Sequence, residues 1–145
     1  MIRHVTAFLV ALALPSDTLA EEAHAAEQLT IETAPVKAKV DLTCNFEIEC
    51  FETENCVETG FSTQLTGVSG GMAADNMIVD ATLQSDAAST PMLGLQSAGS
   101  YALSGGTFDA RHFLTIAATG GARYGVHLAD GPIAITYHGT CEGLN

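Results

Sequence analysis

From Leu29 onward, apolar and polar residues alternate in short runs rich in Thr, Val, Ile and Phe, broken by Gly, Ser, Asp and Asn. A period of two sends successive side chains to opposite faces, so these runs predict the half-buried strands of an all-β domain. They cover 29–33, 37–49, 59–67, 76–84, 92–96, 100–104, 108–118, 122–129 and 133–140. No internal repeat or linker interrupts them, which predicts a single domain over 29–145.

The C-terminal third also predicts a register. Asp130-Gly131 is a two-residue hairpin signal that pairs Tyr124 with Tyr137, Val126 with Ile135 and Leu128 with Ile133 on one face. The opposite face pairs Arg123 with His138, Gly125 with Thr136 and His127 with Ala134. One face is therefore apolar and the other polar. Thr119-Gly120-Gly121 reads as a three-residue loop with a glycine at positive φ, which sets Leu114, Ile116 and Ala118 beside Tyr124 and Val126. Farther back, Met77, Val79, Ala81 and Leu83 share a face, as do Phe61, Thr63 and Leu65. About eight antiparallel strands follow, predicting a small up-and-down β-barrel, with a two-sheet sandwich as the alternative. A barrel of this size is either filled by side chains or holds one small ligand. Leu114, Tyr124, Val126, Ile135 and Tyr137 would line such a cavity, and core filling by the same residues is the favoured reading.

The chain opens with Arg3, an apolar run from Val5 to Leu14, Pro15, and a small-residue exit at Thr18-Leu19-Ala20. This is the pattern of a signal peptide cleaved near Ala20, its apolar run falling short of the roughly 20 residues of a membrane-spanning helix. Residues 21–28, EEAHAAEQ, read as a flexible mature N-terminus. The expected location is periplasmic or secreted, where an even number of cysteines forms disulfides. Cys44, Cys50, Cys56 and Cys141 allow three pairings. Cys44–Cys141 with Cys50–Cys56 is favoured, because Cys50 and Cys56 flank a short polar segment and the other two would join the first strand to the last. Zinc is disfavoured, since no C-x2-C or C-x4-C spacing occurs.

Seventeen acidic residues stand against five basic ones, a net charge of −12 at pH 7. That balance excludes nucleic acid and anionic membrane surfaces as partners and favours a cationic protein. Glu47, Glu49, Glu52, Glu54 and Glu58 surround the cysteine loop, with Glu47 and Glu49 expected on one strand face. They read as solvated charges that keep an edge strand from pairing, because no Asp-x-Asp-x-Asp-Gly calcium frame is present. His127 and His138 share the polar face well apart along the sheet, while His112 falls on the other face opposite Leu128, so no shared metal is expected. No serine lies in a Gly-x-Ser-x-Gly elbow, and every cysteine is expected in a disulfide. Gly70-Gly71 and Gly105-Gly106 read as turn glycines, since no helix follows to make a phosphate loop. The expectation is a non-catalytic binding protein without cofactor or metal; the alternatives are an apolar-ligand barrel and a metal-binding protein.

Gly120-Gly121-Ala122-Arg123-Tyr124, followed by a hairpin and Cys141, resembles the closing motif of the c-type lysozyme inhibitors of Gram-negative bacteria. The resemblance covers about 30 residues and implies an exported eight-stranded barrel with a first-to-last disulfide that inserts a loop into the lysozyme cleft. It directs partner binding to Thr119, Gly120, Gly121 and Arg123. Gly120 stands where the family has its inserted serine, and Asp130-Gly131-Pro132 where it has a lysine. The stretch TCNFEIECFETENC and the ending TYHGTCE also resemble small exported alphaproteobacterial proteins, a likeness that implies compartment and fold only.

Overall fold

The computed structural model describes residues 30–130 and 133–143; the segments read as a signal peptide (1–20) and mature N-terminus (21–28), with residues 29, 131–132 and 144–145, lie outside the described residues. Eight strands follow in chain order: β1 Val36–Phe51, β2 Val57–Ala73, β3 Asn76–Gln84, β4 Ser89–Ser97, β5 Ser100–Gly106, β6 Ala110–Ile116, β7 Gly121–Leu128 and β8 Ile133–Gly143. Each pairs antiparallel with the next, and β8 returns to β1, closing the barrel. The sandwich alternative is thereby set aside. Cys44 and Cys141 are directly paired residues of β1 and β8 and are joined by a disulfide, while a second disulfide links Cys50 to Cys56 across the β1–β2 turn. Both bonds call for an oxidising environment.

The inner face collects the residues that alternation assigns to it. Val40, Phe46, Leu65, Val79, Met92 and Leu114 are almost wholly buried, with Phe61, Tyr101, Val126 and Tyr137 packed against them. The β7–β8 register is the one expected from the hairpin signal, from Arg123 opposite His138 to Leu128 opposite Ile133.

Several expectations are corrected. Residues 30–33 form a turn, not a strand, because Thr30 and Thr33 satisfy each other: the Thr30 N–H donates to Thr33 Oγ1 at 2.9 Å. The loop before β7 spans 118–120, one position earlier than expected, which shifts the β6–β7 register by two. Ala117 N–H donates to the Gly121 carbonyl at 2.8 Å, with Gly120 at φ 91°, so Leu114 faces Tyr124 and Ile116 faces Ala122, while Ala118 is exposed. A shift of two preserves every facing, which is why the apolar pattern alone did not choose between the registers. As a result His112 lies opposite Val126, not Leu128.

Gly70 and Gly71 are strand residues of β2, and Gly105 and Gly106 end β5. Their role is close approach. A Cβ on Gly105 would stand 2.0 Å from the Pro91 carbonyl oxygen, and one on Gly71 2.4 Å from that of Asn76. Gly139 is the extreme case in the closing ladder, where a Cβ would meet Asn45 O at 2.0 Å.

Loop-closure entropy predicts that replacing Cys44 and Cys141 together by alanine costs about 4 to 5 kcal/mol, against about 2 kcal/mol for Cys50 with Cys56. Urea unfolding under non-reducing conditions measures both. By the same measurement Gly139→Ala should cost about 2 to 3 kcal/mol, from backbone displacement. Gly60→Ala, where an added Cβ meets nothing within 4 Å, should cost well under half of that.

Candidate functional site

In an up-and-down barrel the connections alternate between two ends. The β1–β2, β3–β4, β5–β6 and β7–β8 turns therefore share one end, and the β2–β3, β4–β5 and β6–β7 turns share the other. This separates the acidic cluster from the turn to which the family resemblance directs partner binding. The acidic cysteine hairpin lies at the first end, and the Thr119–Arg123 turn lies at the second.

At the first end the β1–β2 hairpin is held on both sides. Cys50–Cys56 closes it, and Glu52, in the left-handed region at φ 50°, anchors it to β8. The Glu52 N–H donates to the Ala134 carbonyl at 2.9 Å, while the Ala134 N–H donates to the Glu52 carboxylate. Ile48, Phe51 and Val57 stay exposed on this hairpin. A register shift between Phe46 and Ile48 breaks the alternation of β1. It separates Glu47 from Glu49, correcting the expectation that they share a face. Glu47 stays in solvent, and Glu49 turns to Tyr137, its partner in the ladder.

Beneath the hairpin lies a cluster of rings. Phe61 and Tyr137 have centroids 4.7 Å apart, Phe46 stacks on Phe61 at 5.8 Å, and Tyr124 stacks on Tyr137 at 5.7 Å. His112 continues the cluster, its Nδ1 hydrogen-bonded to Tyr124 Oη at 2.6 Å, so each satisfies the other's polar atom in an apolar surrounding. Burial pushes the Tyr124 phenol up to about 12, with the neighbouring Tyr137 adding to the effect. Tyr137 is raised by burial and by the Glu49 carboxylate. His112 is lowered by burial and by the charge of Arg111. Register reasoning missed this pair because it offset His112 by two positions; the signal present was its shared parity with Leu114 and Ile116.

Leu114, Tyr124, Val126, Ile135 and Tyr137 do share the inner face. Leu114 is fully enclosed and Tyr124 nearly so, and Val126 and Tyr137 pack against the core. Ile135 is half-buried. An apolar concavity of about 380 Å³ lies elsewhere, between Ile31, Ala34, Met72, Ile78 and Leu95, and none of the five lines it.

At the second end Thr119, Gly121 and Arg123 are exposed, and the Gly120 carbonyl accepts from Cys141 N–H at 2.8 Å. Arg123 faces His138 on the outer surface, and His127 packs there against Phe113. Among the described residues no three His, Cys, Asp or Glu side chains gather as a metal site.

The buried ring pair generates a pH dependence. The folded His112 binds a proton less readily than a free histidine at 6.5, so the unfolded chain protonates first as pH falls. Stability should therefore decline as pH drops below about 6.5, and His112→Gln should flatten that part of the slope in denaturation series. At alkaline pH the order reverses: unfolded tyrosines ionise near 10.0 while folded Tyr124 holds its proton to about 12, so stability falls as pH rises above 10.0. Phenolate absorbance of the native protein should show a late step that Tyr124→Phe removes. No family model, no curated protein and no solved structure matches this chain.

Proposed function

We propose that this protein is an exported, non-catalytic binding module that captures a cationic protein at the barrel end carrying the β1–β2 hairpin. Charge placement carries this reading. Of the thirteen carboxylate side chains among the described residues, eight belong to this end: five on the hairpin, with Asp86, Asp109 and Asp130 in the other three turns. Arg111 is the one Lys or Arg residue among them. Lys37, Lys39 and Arg123 belong to the other half of the barrel, and Lys39 is paired with Asp41 at 2.5 Å. Such a field steers a basic partner toward one end. The disulfide and the Glu52 anchor keep the tip ordered, which lowers the entropy cost of docking. Exposed Ile48, Phe51 and Val57 add apolar contact area between the charges. The signal-peptide pattern of residues 1–20, together with the two disulfides, supports a periplasmic or secreted location.

The resemblance to lysozyme inhibitors makes lysozyme, a basic protein, the first probe. That resemblance directs contact to the Thr119–Arg123 turn; the charge distribution favours the opposite end. Stopped-flow association decides between them. Replacing Glu47, Glu54 and Glu58 together by glutamine should slow association about tenfold at low salt and weaken its salt dependence. Thr119→Ala with Arg123→Ala should leave the rate unchanged. The reverse pattern would move the site to the other end, and absence of salt-sensitive binding would remove the reading.

A further inference from the structure

The barrel closes between β1 and β8, yet among the described residues two long stretches of strand backbone have a neighbour on one side only: β1 over 36–41, beyond the β8 ladder that begins at Leu42 opposite Gly143, and β2 over 57–63. β2 pairs with β1 along nearly its whole length, down to Val57 opposite Glu49. On its other side, pairing with β3 begins only at Gln64 opposite Gln84. Over residues 57–63, β2 therefore has a strand on one side and, among the described residues, none on the other. This open edge is about 20 Å long at the rise of a β-strand. It belongs to the acidic hairpin, and where β3 turns away a notch of about 470 Å³ opens between Ser62, Thr63 and Gln64 on one wall and Gln84, Ser85 and Asp86 on the other. The Thr63 hydroxyl, at this notch, is buried without a hydrogen-bond partner among the described residues.

We infer that this edge docks an extended segment of the cationic partner, which adds a strand beside residues 57–63. The inference rests on the binding reading above and specifies its mode. Unpaired N–H and C=O groups of a strand edge are the template for such addition, backbone bonds giving affinity and alternate side chains giving selectivity. The side chains here define what fits. Glu58 shares the outer face with Ile48 and His138, whereas Val57 and Phe61 lie on the inner face with Tyr137. A segment that alternates basic and apolar residues would set its charges beside Glu58 and Glu47 and its apolar side chains against Val57 and the exposed rim of Phe61. Pairing with the same edge of a second copy does not fit, because no Lys or Arg occurs between Lys39 and Arg111 and it would set carboxylates against carboxylates; the 36–41 edge of a second copy, which carries Lys37 and Lys39, is the competing occupant that the dimer measurement below tests. Residues 21–29, with three glutamates and no Lys or Arg, are excluded by the same repulsion.

The test uses the oxidised, mature chain and two eight-residue probes of equal charge, one alternating lysine and valine, the other lysine and proline. Proline cannot donate to a ladder, so the second probe keeps the charge and loses the strand. Calorimetry at low salt should find the lysine–valine probe bound about tenfold or more tightly than the other. Amide hydrogen exchange should then slow at residues within 57–63, and Glu58→Gln should weaken the tighter probe more than the weaker one. Equal affinities without protection of 57–63 would overturn strand addition while leaving the acidic-end reading intact. Binding of neither probe, together with no salt-sensitive association of lysozyme, would overturn both. A concentration-dependent dimer that protects 57–63 in the free protein would assign the edge to a second copy instead.

Discussion

Closure of the sheet between its first and last strands is the constraint on which the rest depends. β1 and β8 each serve two partners that lie far apart in sequence, and β1 does so with Cys44 opposite Thr63 on one side and Cys141 on the other. The cross-link stands within that ladder, joining residues 97 positions apart, and so restricts the unfolded chain where loop closure is most costly. With the seam shut, the inner faces of all eight strands enclose one core, and the long open edges among the described residues are confined to β1 at 36–41 and β2 at 57–63.

A small closed barrel leaves little room inside, and glycine is how the chain meets that limit. Gly67, Gly94, Gly105 and Gly139 stand where any Cβ would strike the backbone of the neighbouring strand, at 2.0 to 2.2 Å from a carbonyl oxygen. The space they release is taken by large side chains: aliphatic ones at mid-height, and the stacked Phe46, Phe61, Tyr124 and Tyr137 toward the acidic end. Polar atoms that reach this interior are paired, as His112 is with Tyr124 and as Ser69 is with the Ala38 carbonyl at 3.4 Å. Thr63, beside the notch between β2 and β3, is the exception among the described residues.

Antiparallel topology also distributes the charge. Acidic residues that are scattered through the sequence, at Glu54, Asp86, Asp109 and Asp130, are brought to one end because every second turn returns there. The cysteine hairpin extends that end beyond β3, so the greatest concentration of carboxylates coincides with the unpaired stretch of β2 at 57–63. The same charges that hinder this edge from pairing with its own copy make it selective for a basic segment.

Period-two alternation, turn chemistry and cysteine count by themselves determined the all-β class, the inner face of β3, β7 and β8, and the register across Asp130-Gly131, because these follow from local geometry and from which side chains avoid water. The pairing of the cysteines was legible only as a preference among three. Tertiary structure decided the rest. It chose closure over a sandwich, a matter of which strand meets the far edge. It moved the β6–β7 register by two, a change invisible to a pattern that also repeats every two residues. It placed Gly70, Gly71, Gly105 and Gly106 in strands, since close approach of two backbones leaves no mark on either sequence alone. Finally, it turned Glu49 inward through a bulge and left residues 57–63 unpaired, because the length over which neighbouring strands overlap is set by the whole barrel and by no single strand.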